Sequence, residues 1–367
     1  MMRSPKSNVR NGDWLYALWA SDAIGARVAR AALVPAELLF GAITAARSSL
    51  YSSGVCTVQP TAIPALSVGN LTVGGTGKTP LAAYFANRLQ RAGAKPAIIL
   101  RGYGEDEPLV HRTLNPGVPV IVSADRLAGA DEAMRAGCDL VVLDDAFQHR
   151  RAARIADVVL VSADGWREHR HLLPAGPWRE RLTAARRASI VIVTRKAVSL
   201  DRADLVGEAV RRTAGVSCAV VHLHASELRE VNGARTATID ALRGESVLAI
   251  SAIGDPAAFD AQLMAHGAVV TPVRFRDHHR FTVGDAESLA ATAKGYDRAV
   301  CTLKDAVKLG PLWPGQSPLW YVSQRVVVER GDGAVDAVLE TTLLARSAPI
   351  QPGRPGLPGP RDSLHGH

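Results

Sequence analysis

Three glycines precede a lysine and a threonine within one short segment of this sequence. The segment GGTGKT at 74–79 follows an apolar run at 65–68 and leads into an amphipathic helical pattern at 79–92. Glycines at such a turn let backbone N–H groups point inward, and the N-terminus of the following helix adds the positive end of its dipole. The order of strand, glycine loop and helix predicts a binding site for the phosphates of a nucleoside triphosphate.

The side chains of this loop have distinct expected roles. Lys78 would contact the β- and γ-phosphates, and the Thr79 hydroxyl would coordinate Mg²⁺. The strict pattern G-x-x-x-x-G-K-[ST] has glycine at position 72, where this chain has threonine, so the match is to the variant G-G-x-G-K-T. The residues predicted to contact phosphate are Thr72, Val73, Gly74, Gly75, Thr76, Gly77, Lys78 and Thr79.

Two adjacent aspartates end another apolar run. The run at 139–143 is followed by Asp144 and Asp145. Neighbouring carboxylates repel each other unless a cation lies beside them, and Mg²⁺ is the cation that a triphosphate site requires. Capping of a strand end by a single aspartate is the structural alternative. We predict that Asp144, Asp145 and Thr79 are the protein's metal ligands.

Short apolar runs alternate with helical patterns along the chain, which is typical of α/β proteins with parallel sheets. A first series of strands is predicted at 65–68, 96–100, 118–122, 139–143, 157–161 and 190–194, with helices near 79–92, 125–136 and 201–214. After a strand at 217–224, the dipeptide Asn232-Gly233 indicates a hairpin turn. A second series follows, with strands at 247–251, 268–274, 298–302 and 319–323 and helices at 256–266 and 284–294.

These patterns divide the chain into five parts. We predict a membrane-interface helical segment at 1–50, a P-loop ATP-binding domain at 51–224, a two-stranded linker at 225–240, a smaller α/β domain at 241–346 and a disordered tail at 347–367. The tail is rich in proline and glycine and cannot form a core.

Bulk composition narrows the class of partner. The chain has 367 residues, of which 47% are hydrophobic and 21% are charged, as expected for folded domains rather than a multi-span membrane protein. Its net charge of +8 favours nucleic acid, phosphorylated small molecules or an anionic bilayer as partners. The cysteines are isolated and lack the spacing of metal ligands, which indicates a reducing cytoplasm.

The N-terminal region at 14–46 is apolar but is interrupted by Asp22, Arg27, Arg30 and Glu37. No uncharged run reaches the about 20 residues that a spanning helix requires. Aromatic and aliphatic residues with arginines around them suit helices that lie in a bilayer interface. A pair of helices packed on the protein's own core is the alternative that the pattern leaves open.

Several motifs taken together resemble those of one protein family. The segments are GNLTVGGTGKTP at 69–80, RGYG at 101–104, DDAFQH at 144–149, LPAGPWRE at 173–180, DH at 277–278 and KDAVK at 304–308. In this order they resemble the tetraacyldisaccharide 4'-kinase family, from the N-terminal apolar region to about residue 340. The chain departs from the family pattern at Glu105, Ala146 and Leu303, and the stretch after Gly104 is short.

The resemblance implies a function and further site residues. It implies transfer of the γ-phosphate of ATP, with Mg²⁺, to the 4'-hydroxyl of a tetraacyldisaccharide 1-phosphate, which forms lipid IVA at the cytoplasmic face of the Gram-negative inner membrane. It also implies that Asp106 is the general base and that His278 supports it. Arg101 and Tyr103 are candidates for contact with the acceptor. A lipid acceptor favours membrane contact by the N-terminal segment.

Two other classes of protein share parts of these patterns. A P-loop GTPase of the metal-insertion or targeting type also uses G-G-x-G-K-T, but the segments at 194–197 and 302–305 do not match the guanine-reading pattern N/T-K-x-D. A nucleic-acid-binding ATPase would suit the positive charge, but the sequence has no aromatic and basic motif for RNA or DNA. We therefore expect no nucleic acid among the partners.

Overall fold

The structure is a computed structural model that describes residues 18–19, 21–102, 104–167, 169–315 and 317–347. Its helices are α1 (Ile24–Ser52), α2 (Lys78–Arg91), α3 (Asp106–Leu114), α4 (Arg126–Arg135), α5 (Leu200–Ala214), α6 (Pro256–Ala265), α7 (Val283–Ala293), α8 (Leu303–Leu309) and α9 (Asp332–Leu344). Its strands are β1 (Ala65–Asn70), β2 (Pro96–Leu100), β3 (Val120–Val122), β4 (Leu140–Asp144), β5 (Ala156–Ser162), β6 (Ile190–Arg195), β7 (Cys218–Glu230), β8 (Thr236–Thr238), β9 (Ser246–Ser251), β10 (Val269–Arg274), β11 (Arg298–Thr302) and β12 (Leu319–Arg330). The predicted tail lies outside these residues except for Ser347.

The described strands form one sheet in the order β10-β9-β11-β12-β7-β6-β5-β1-β4-β2-β3, with β8 paired to β7. From β3 to β7 every neighbouring pair is parallel. A second parallel group, β12-β11-β9-β10, joins the first through the antiparallel pair β7 and β12. The mostly parallel sheet with helices between its strands confirms the predicted α/β class.

Most predicted elements lie where the hydrophobic pattern put them, but several regions differ, among them β7, which continues to Glu230 instead of ending at residue 224. The short helix α3 was not predicted, because Pro108 stands in its first turn and nine residues carry little periodicity. The helix α9 was also not predicted. The strand β12 continues to Arg330 instead of ending at residue 323, because its second half pairs with β7.

The connection between the two parallel groups is built from long strands. The predicted hairpin is present: β8 pairs antiparallel with residues 227–229 of β7, and the turn contains Asn232 and Gly233. The strand β7 pairs with β12 over most of its length. The chain therefore passes between the groups through β7 and returns through β12.

The last helix, α9, packs on the first parallel group. Val335, Val338 and Leu339 are buried in the same cluster as Leu81 and Phe85 of α2. These three apolar residues are spaced at i, i+3 and i+4, which places them on one face of the helix. The range 241–346, which the sequence predicts as the smaller domain, thus includes a helix whose buried contacts are with the first parallel group.

The helix α1 is a single element of 29 residues, and none of its residues is buried. One face contacts the protein: the Glu37 carboxylate accepts a hydrogen bond from Leu172 N at 2.8 Å, and Ser48 Oγ accepts one from Arg150 at 3.1 Å. The opposite face exposes Leu39 and Ile43. Phe40 packs against a buried cluster that includes Leu172, so α1 lies on the protein along one edge, and its contact with a membrane stays a prediction.

By length and composition alone, α1 is also the one candidate for a membrane-crossing helix among the described residues.

Leu339 tests the position of α9. Its side chain is 5% exposed, so Leu339→Ala should lower the free energy of unfolding by about 2–5 kcal/mol, measured by denaturant titration. Leu344, which is 74% exposed on the same helix, provides the matched control, and Leu344→Ala should change stability by about 0.5 kcal/mol or less. Equal effects of the two substitutions would show that α9 does not pack as described.

Candidate active site

The glycine loop joins β1 to α2 and is held by side chains from neighbouring strands. Gly77 precedes the first residue of α2 with a φ of 86°, a conformation that glycine adopts without strain. The Thr194 hydroxyl donates to the carbonyl oxygen of Thr76 at 3.0 Å, and the Asn70 amide donates to the Thr76 hydroxyl at 2.8 Å. Lys196 Nζ donates to the carbonyl oxygen of Gly75 at 2.9 Å. These bonds fix the loop before any phosphate binds.

The segment at 177–179 supports the other side of the loop. Thr72 forms a β-bridge with Trp178, and Val73 N donates to the carbonyl oxygen of Pro177 at 2.8 Å. Arg179 N donates to the carbonyl oxygen of Leu71 at 2.7 Å. The loop therefore begins in an extended conformation, which threonine suits better than glycine. This accounts for the departure from the strict pattern at position 72.

The aspartate pair lies beside the loop, as predicted. Strands β1 and β4 are parallel neighbours in a register that aligns Val68 with Asp144. Lys78 Nζ is 3.9 Å from Asp145 Oδ1, and Arg179 donates to both oxygens of Asp145 at 2.9 and 3.1 Å. The two carboxylates thus differ in surroundings, since Asp145 faces two cations and Asp144 is buried.

Asp144 has the free oxygen that a metal ligand needs. Its Oδ2 pairs with His111 Nε2 at 2.9 Å, while its buried Oδ1 has no hydrogen-bond partner among the described residues. A buried carboxylate oxygen without a donor is costly unless a cation or water binds it. Mg²⁺ prefers oxygen ligands and is held by one or two carboxylates together with phosphates. The unpartnered oxygen of Asp144 therefore fits such an ion.

The structure brings Asp106 and His278 together across the two parallel groups. Asp106 is the first residue of α3 and is 3% exposed. His278 Nδ1 lies 3.3 Å from Asp106 Oδ1. Gly104 makes this approach possible, because a Cβ at that position would overlap both Asp106 Oδ1 and His278 Nδ1. The pair that the resemblance implied is thus in contact, although the loop before Asp106 is short.

Two lysines of α8 reach the second oxygen of Asp106. Lys304 Nζ is 3.6 Å and Lys308 Nζ is 4.0 Å from Asp106 Oδ2. Burial would raise the pKa of Asp106, but the hydrogen bond with His278 and the lysine charges lower this pKa to about 2. Asp106 is therefore a carboxylate throughout the neutral range.

The charge state of His278 depends on two opposing neighbours. The hydrogen bond with Asp106 raises the pKa of His278, whereas burial and the charge of Lys304 lower this pKa. Lys304 Nζ lies 3.1 Å from His278 Nε2 and can donate only to a neutral ring.

Arg101 and Tyr103 are the candidate acceptor residues. Arg101 follows β2 and is exposed at the carboxyl edge of the first parallel group. Tyr103 lies outside the described residues.

Sequence reasoning missed several residues of this site. His111 was not singled out, although it pairs with Asp144, and Lys196 was noted only as part of a segment that fails the guanine pattern. Arg179, Lys304 and Lys308 were noted without an assigned role. The spacing of Lys304 and Lys308 at i and i+4 was the available signal, since it places both ammonium groups on one face of a helix.

Titration of His278 tests the contact with Asp106. Because the hydrogen bond with Asp106 is the largest cause of the raised pKa, Asp106→Asn should lower the pKa of His278, followed by NMR of the imidazole Cε1–H signal. Lys304→Gln should raise the same pKa. The signal of His266, which pairs with Asp240, is the internal control. An unchanged His278 titration in Asp106→Asn would mean that the two side chains do not meet in solution.

Comparison with known proteins agrees with the geometry. The sequence profile described as "Tetraacyldisaccharide-1-P 4'-kinase" matches residues 29–344. The tetraacyldisaccharide 4'-kinase of Anaeromyxobacter sp. (strain Fw109-5) is 38% identical over 359 residues, which cover 88% of this chain and 96% of that protein. The enzyme of the same name from Azoarcus sp. (strain BH72) is 36% identical over 350 residues, covering 88% of this chain and 92% of the relative.

A solved structure is also similar. The crystal structure of the "apo" form of LpxK from Aquifex aeolicus in complex with ATP aligns with a TM-score of 0.66 and 25% identity, covering 86% of this chain and 99% of that chain. The profile match and the identities over most of each chain confirm the resemblance that the motifs indicated. This chain therefore belongs to the tetraacyldisaccharide 4'-kinase family.

Proposed function

We propose that this chain transfers the γ-phosphate of ATP to the 4'-hydroxyl of a tetraacyldisaccharide 1-phosphate, which yields lipid IVA. The observation that carries the proposal is the geometry of α3. Asp106 begins this helix, and His111, five residues later on the same helix, pairs with Asp144 beside the glycine loop. Five residues correspond to roughly 7.5 Å along a helix. One rigid element thus links a group that can activate a hydroxyl to the carboxylate proposed to bind metal.

The loop residues supply the electrostatic part of the reaction. Charge spreads over the oxygens of the transferred phosphoryl group in the transition state, so catalysis depends on positioning and on positive charge. Backbone N–H groups of the loop that are not bonded within the protein would surround the phosphates, and Lys78 would bind the β- and γ-phosphate oxygens. Val73 N and Thr76 N are not among these groups, because they donate to the carbonyl oxygens of Pro177 and Gly74. Mg²⁺, held by Thr79 and by Asp144 with Asp145 nearby, would neutralise these oxygens when bound.

Asp106 and His278 would act on the acceptor. The sugar hydroxyl would donate a hydrogen bond to an oxygen of Asp106, which accepts the proton as the phosphoryl group transfers. A carboxylate whose pKa is about 2 is a weak base, so its main contribution before transfer is to orient the hydroxyl. His278 supports the carboxylate from the second parallel group. Asp106 and His278 meet only while the two groups are in contact, which supports closure before chemistry.

Transfer of labelled γ-phosphate to tetraacyldisaccharide 1-phosphate tests the proposal, with GTP as the competing donor. We expect label in the lipid from ATP, and strongly reduced turnover in Lys78→Ala and Asp145→Ala because triphosphate and metal binding are disrupted.

Asp106→Asn should keep ATP affinity, measured by calorimetry, and lower kcat by about 10²–10⁴-fold because a general base contributes rate in this range.

Asp131→Asn is the matched control, since this aspartate is exposed on α4. Its kcat should equal that of the unsubstituted protein. Normal kcat in Asp106→Asn would reject Asp106 as the base, and lost ATP affinity in that variant would assign it to the nucleotide or metal site instead.

The exposed face of α1 supports peripheral contact with the cytoplasmic face of an anionic inner membrane. Leu39 and Ile43 expose 64% and 58% of their surface on the side away from the protein. The hydrogen bonds of Glu37 and Ser48 attach the opposite edge of the helix to the catalytic domain. An amphipathic helix held in this way would lie along the bilayer and bring a lipid acceptor to the site.

Substitution of one exposed leucine tests this contact. Leu39→Glu should lower the fraction of protein that sediments with anionic phospholipid vesicles, by about tenfold or more in affinity, because a buried leucine contributes about 1.5–3 kcal/mol. Leu205→Glu is the matched control, because Leu205 is 57% exposed on a different helix, α5. An equal loss of vesicle binding in both variants would attribute the change to the added negative charge alone. Unchanged vesicle binding in Leu39→Glu would exclude this face of α1 as the surface that contacts the membrane.

A further inference from the structure

His111 is a fully buried histidine in the last turn of α3, beside the first of the two adjacent aspartates. Its Nε2 lies 2.9 Å from Asp144 Oδ2, and its buried Nδ1 has no hydrogen-bond partner among the described residues. An ionised carboxylate only accepts hydrogen bonds, so Nε2 carries a hydrogen and donates it to Asp144. A second hydrogen at Nδ1 would be a buried donor without an acceptor, which favours the neutral ring.

The two aspartates are held by partners of different charge. Arg179 donates to both oxygens of Asp145, and Lys78 Nζ lies 3.9 Å from the same carboxylate. Asp144 instead pairs with His111 through Oδ2, while its buried Oδ1 has no partner among the described residues. A hydrogen bond from a neutral imidazole orients a carboxylate without cancelling its charge. Asp144 is therefore fixed at one oxygen and keeps the other for a cation.

The contact between His111 and Asp144 is supported on both sides. The side-chain amide of Asn115, the residue after α3, donates to the carbonyl oxygen of Ala83 at 3.0 Å, and Ala83 lies on α2, the helix that follows the glycine loop. Asn115 N donates to the carbonyl oxygen of His111 at 2.9 Å. Arg126 donates to the backbone carbonyl oxygen of Asp144 at 3.2 Å. The imidazole is thus placed by an element that is bonded to the helix of the nucleotide loop.

We infer that His111 is a positioning residue for the metal site, because it holds Oδ2 of Asp144 and leaves Oδ1 available to the cation that accompanies the triphosphate. The inference rests on the proposed function, which assigns Asp144 to that cation. Carboxylates that bind metals are commonly oriented by hydrogen bonds from residues behind them, and loss of such a partner costs about 10–100-fold in metal affinity or activity. Without His111, Asp144 could rotate, and Oδ2 would also be buried without a donor.

Binding of Mn²⁺ tests this role without turnover. Free Mn²⁺ is measured by EPR in titrations of the full chain with ADP, at protein concentrations above that of ADP. His111→Leu keeps an apolar side chain in the buried position and should raise the Kd for Mn²⁺ about 10–100-fold. His111→Gln should keep most of the affinity, because the glutamine amide nitrogen can replace Nε2 as the donor to Asp144.

Two comparisons separate the contact from general effects. Asp144→Asn should weaken Mn²⁺ binding, and adding His111→Leu should weaken it no further, because both residues act through one contact. His266→Leu is the matched control: this histidine also lies 3.3 Å from an aspartate, Asp240, but it follows α6 rather than α3, so the Kd for Mn²⁺ should not change. The affinity for ADP without metal, measured by calorimetry in EDTA, should be equal in all these proteins.

The transfer assay gives a second readout. In His111→Leu the Mg²⁺ concentration that gives half-maximal rate should rise about tenfold or more. At saturating Mg²⁺ the kcat of this variant should recover, because the substitution weakens metal binding and leaves the groups around Asp106 in place. A kcat that stays low at every Mg²⁺ concentration would contradict a role through the metal.

Other outcomes would also overturn the inference. An unchanged Kd for Mn²⁺ in His111→Leu would exclude the role, and equal losses in His111→Leu and His111→Gln would assign the histidine to packing. If His111→Leu does not fold, His111→Asn replaces it, because asparagine is too short to reach Asp144 and should raise the Kd where glutamine does not. No Mn²⁺ binding by the unsubstituted protein with ADP would reject the proposed metal site, whereas normal Mn²⁺ binding without phosphate transfer would reject only the proposed acceptor chemistry.

Discussion

The parallel pairing of β1 with β4 is the constraint on which the rest of the site depends. Parallel strands end at the same edge of a sheet, so the register that aligns Val68 with Asp144 places the aspartate pair beside the glycine loop. The loop then has its helix N-terminus and Lys78 on one side and two carboxylates on the other. Hydrogen bonds from Asn70, Thr194 and Lys196 hold the loop in this position.

The antiparallel pairing of β7 with β12 has a different consequence. It attaches a second parallel group to the first, and α3 and α8 then meet at the boundary between them. Asp106 from one group is in contact with His278, Lys304 and Lys308 from the other. A buried carboxylate with one imidazole and two ammonium groups around it is stable only while the groups remain together. The same contacts therefore hold the two parallel groups of strands together and lower the pKa of Asp106, the proposed base.

The helix α1 has one face that contacts the protein and another that is exposed. Glu37 and Ser48 attach it to the segments at 171–172 and 150. Leu39 and Ile43 remain exposed on the other face. One helix thus combines an edge that packs on the protein with an exposed apolar face, and the proposed membrane contact rests on this arrangement.

The sequence by itself determined the α/β class, the position of the glycine loop and the identity of Lys78, Thr79, Asp144 and Asp145 as candidates. These are local patterns, since a strand, a loop and a helix that follow one another carry their own signal in periodicity and composition. The resemblance added Asp106 and His278, which are 172 residues apart and share no local pattern.

Tertiary structure alone decided which groups surround these residues. His111 pairs with Asp144, and Arg179 with Asp145, because separate elements pack against the end of β4, a contact that no spacing along the chain encodes. The packing of α9 on the nucleotide-binding half likewise depends on the return of the chain through β12. For α1, hydropathy left two environments open, because an apolar stripe suits a core or a bilayer equally, and only the tertiary structure showed that one edge packs on the protein while Leu39 and Ile43 stay exposed.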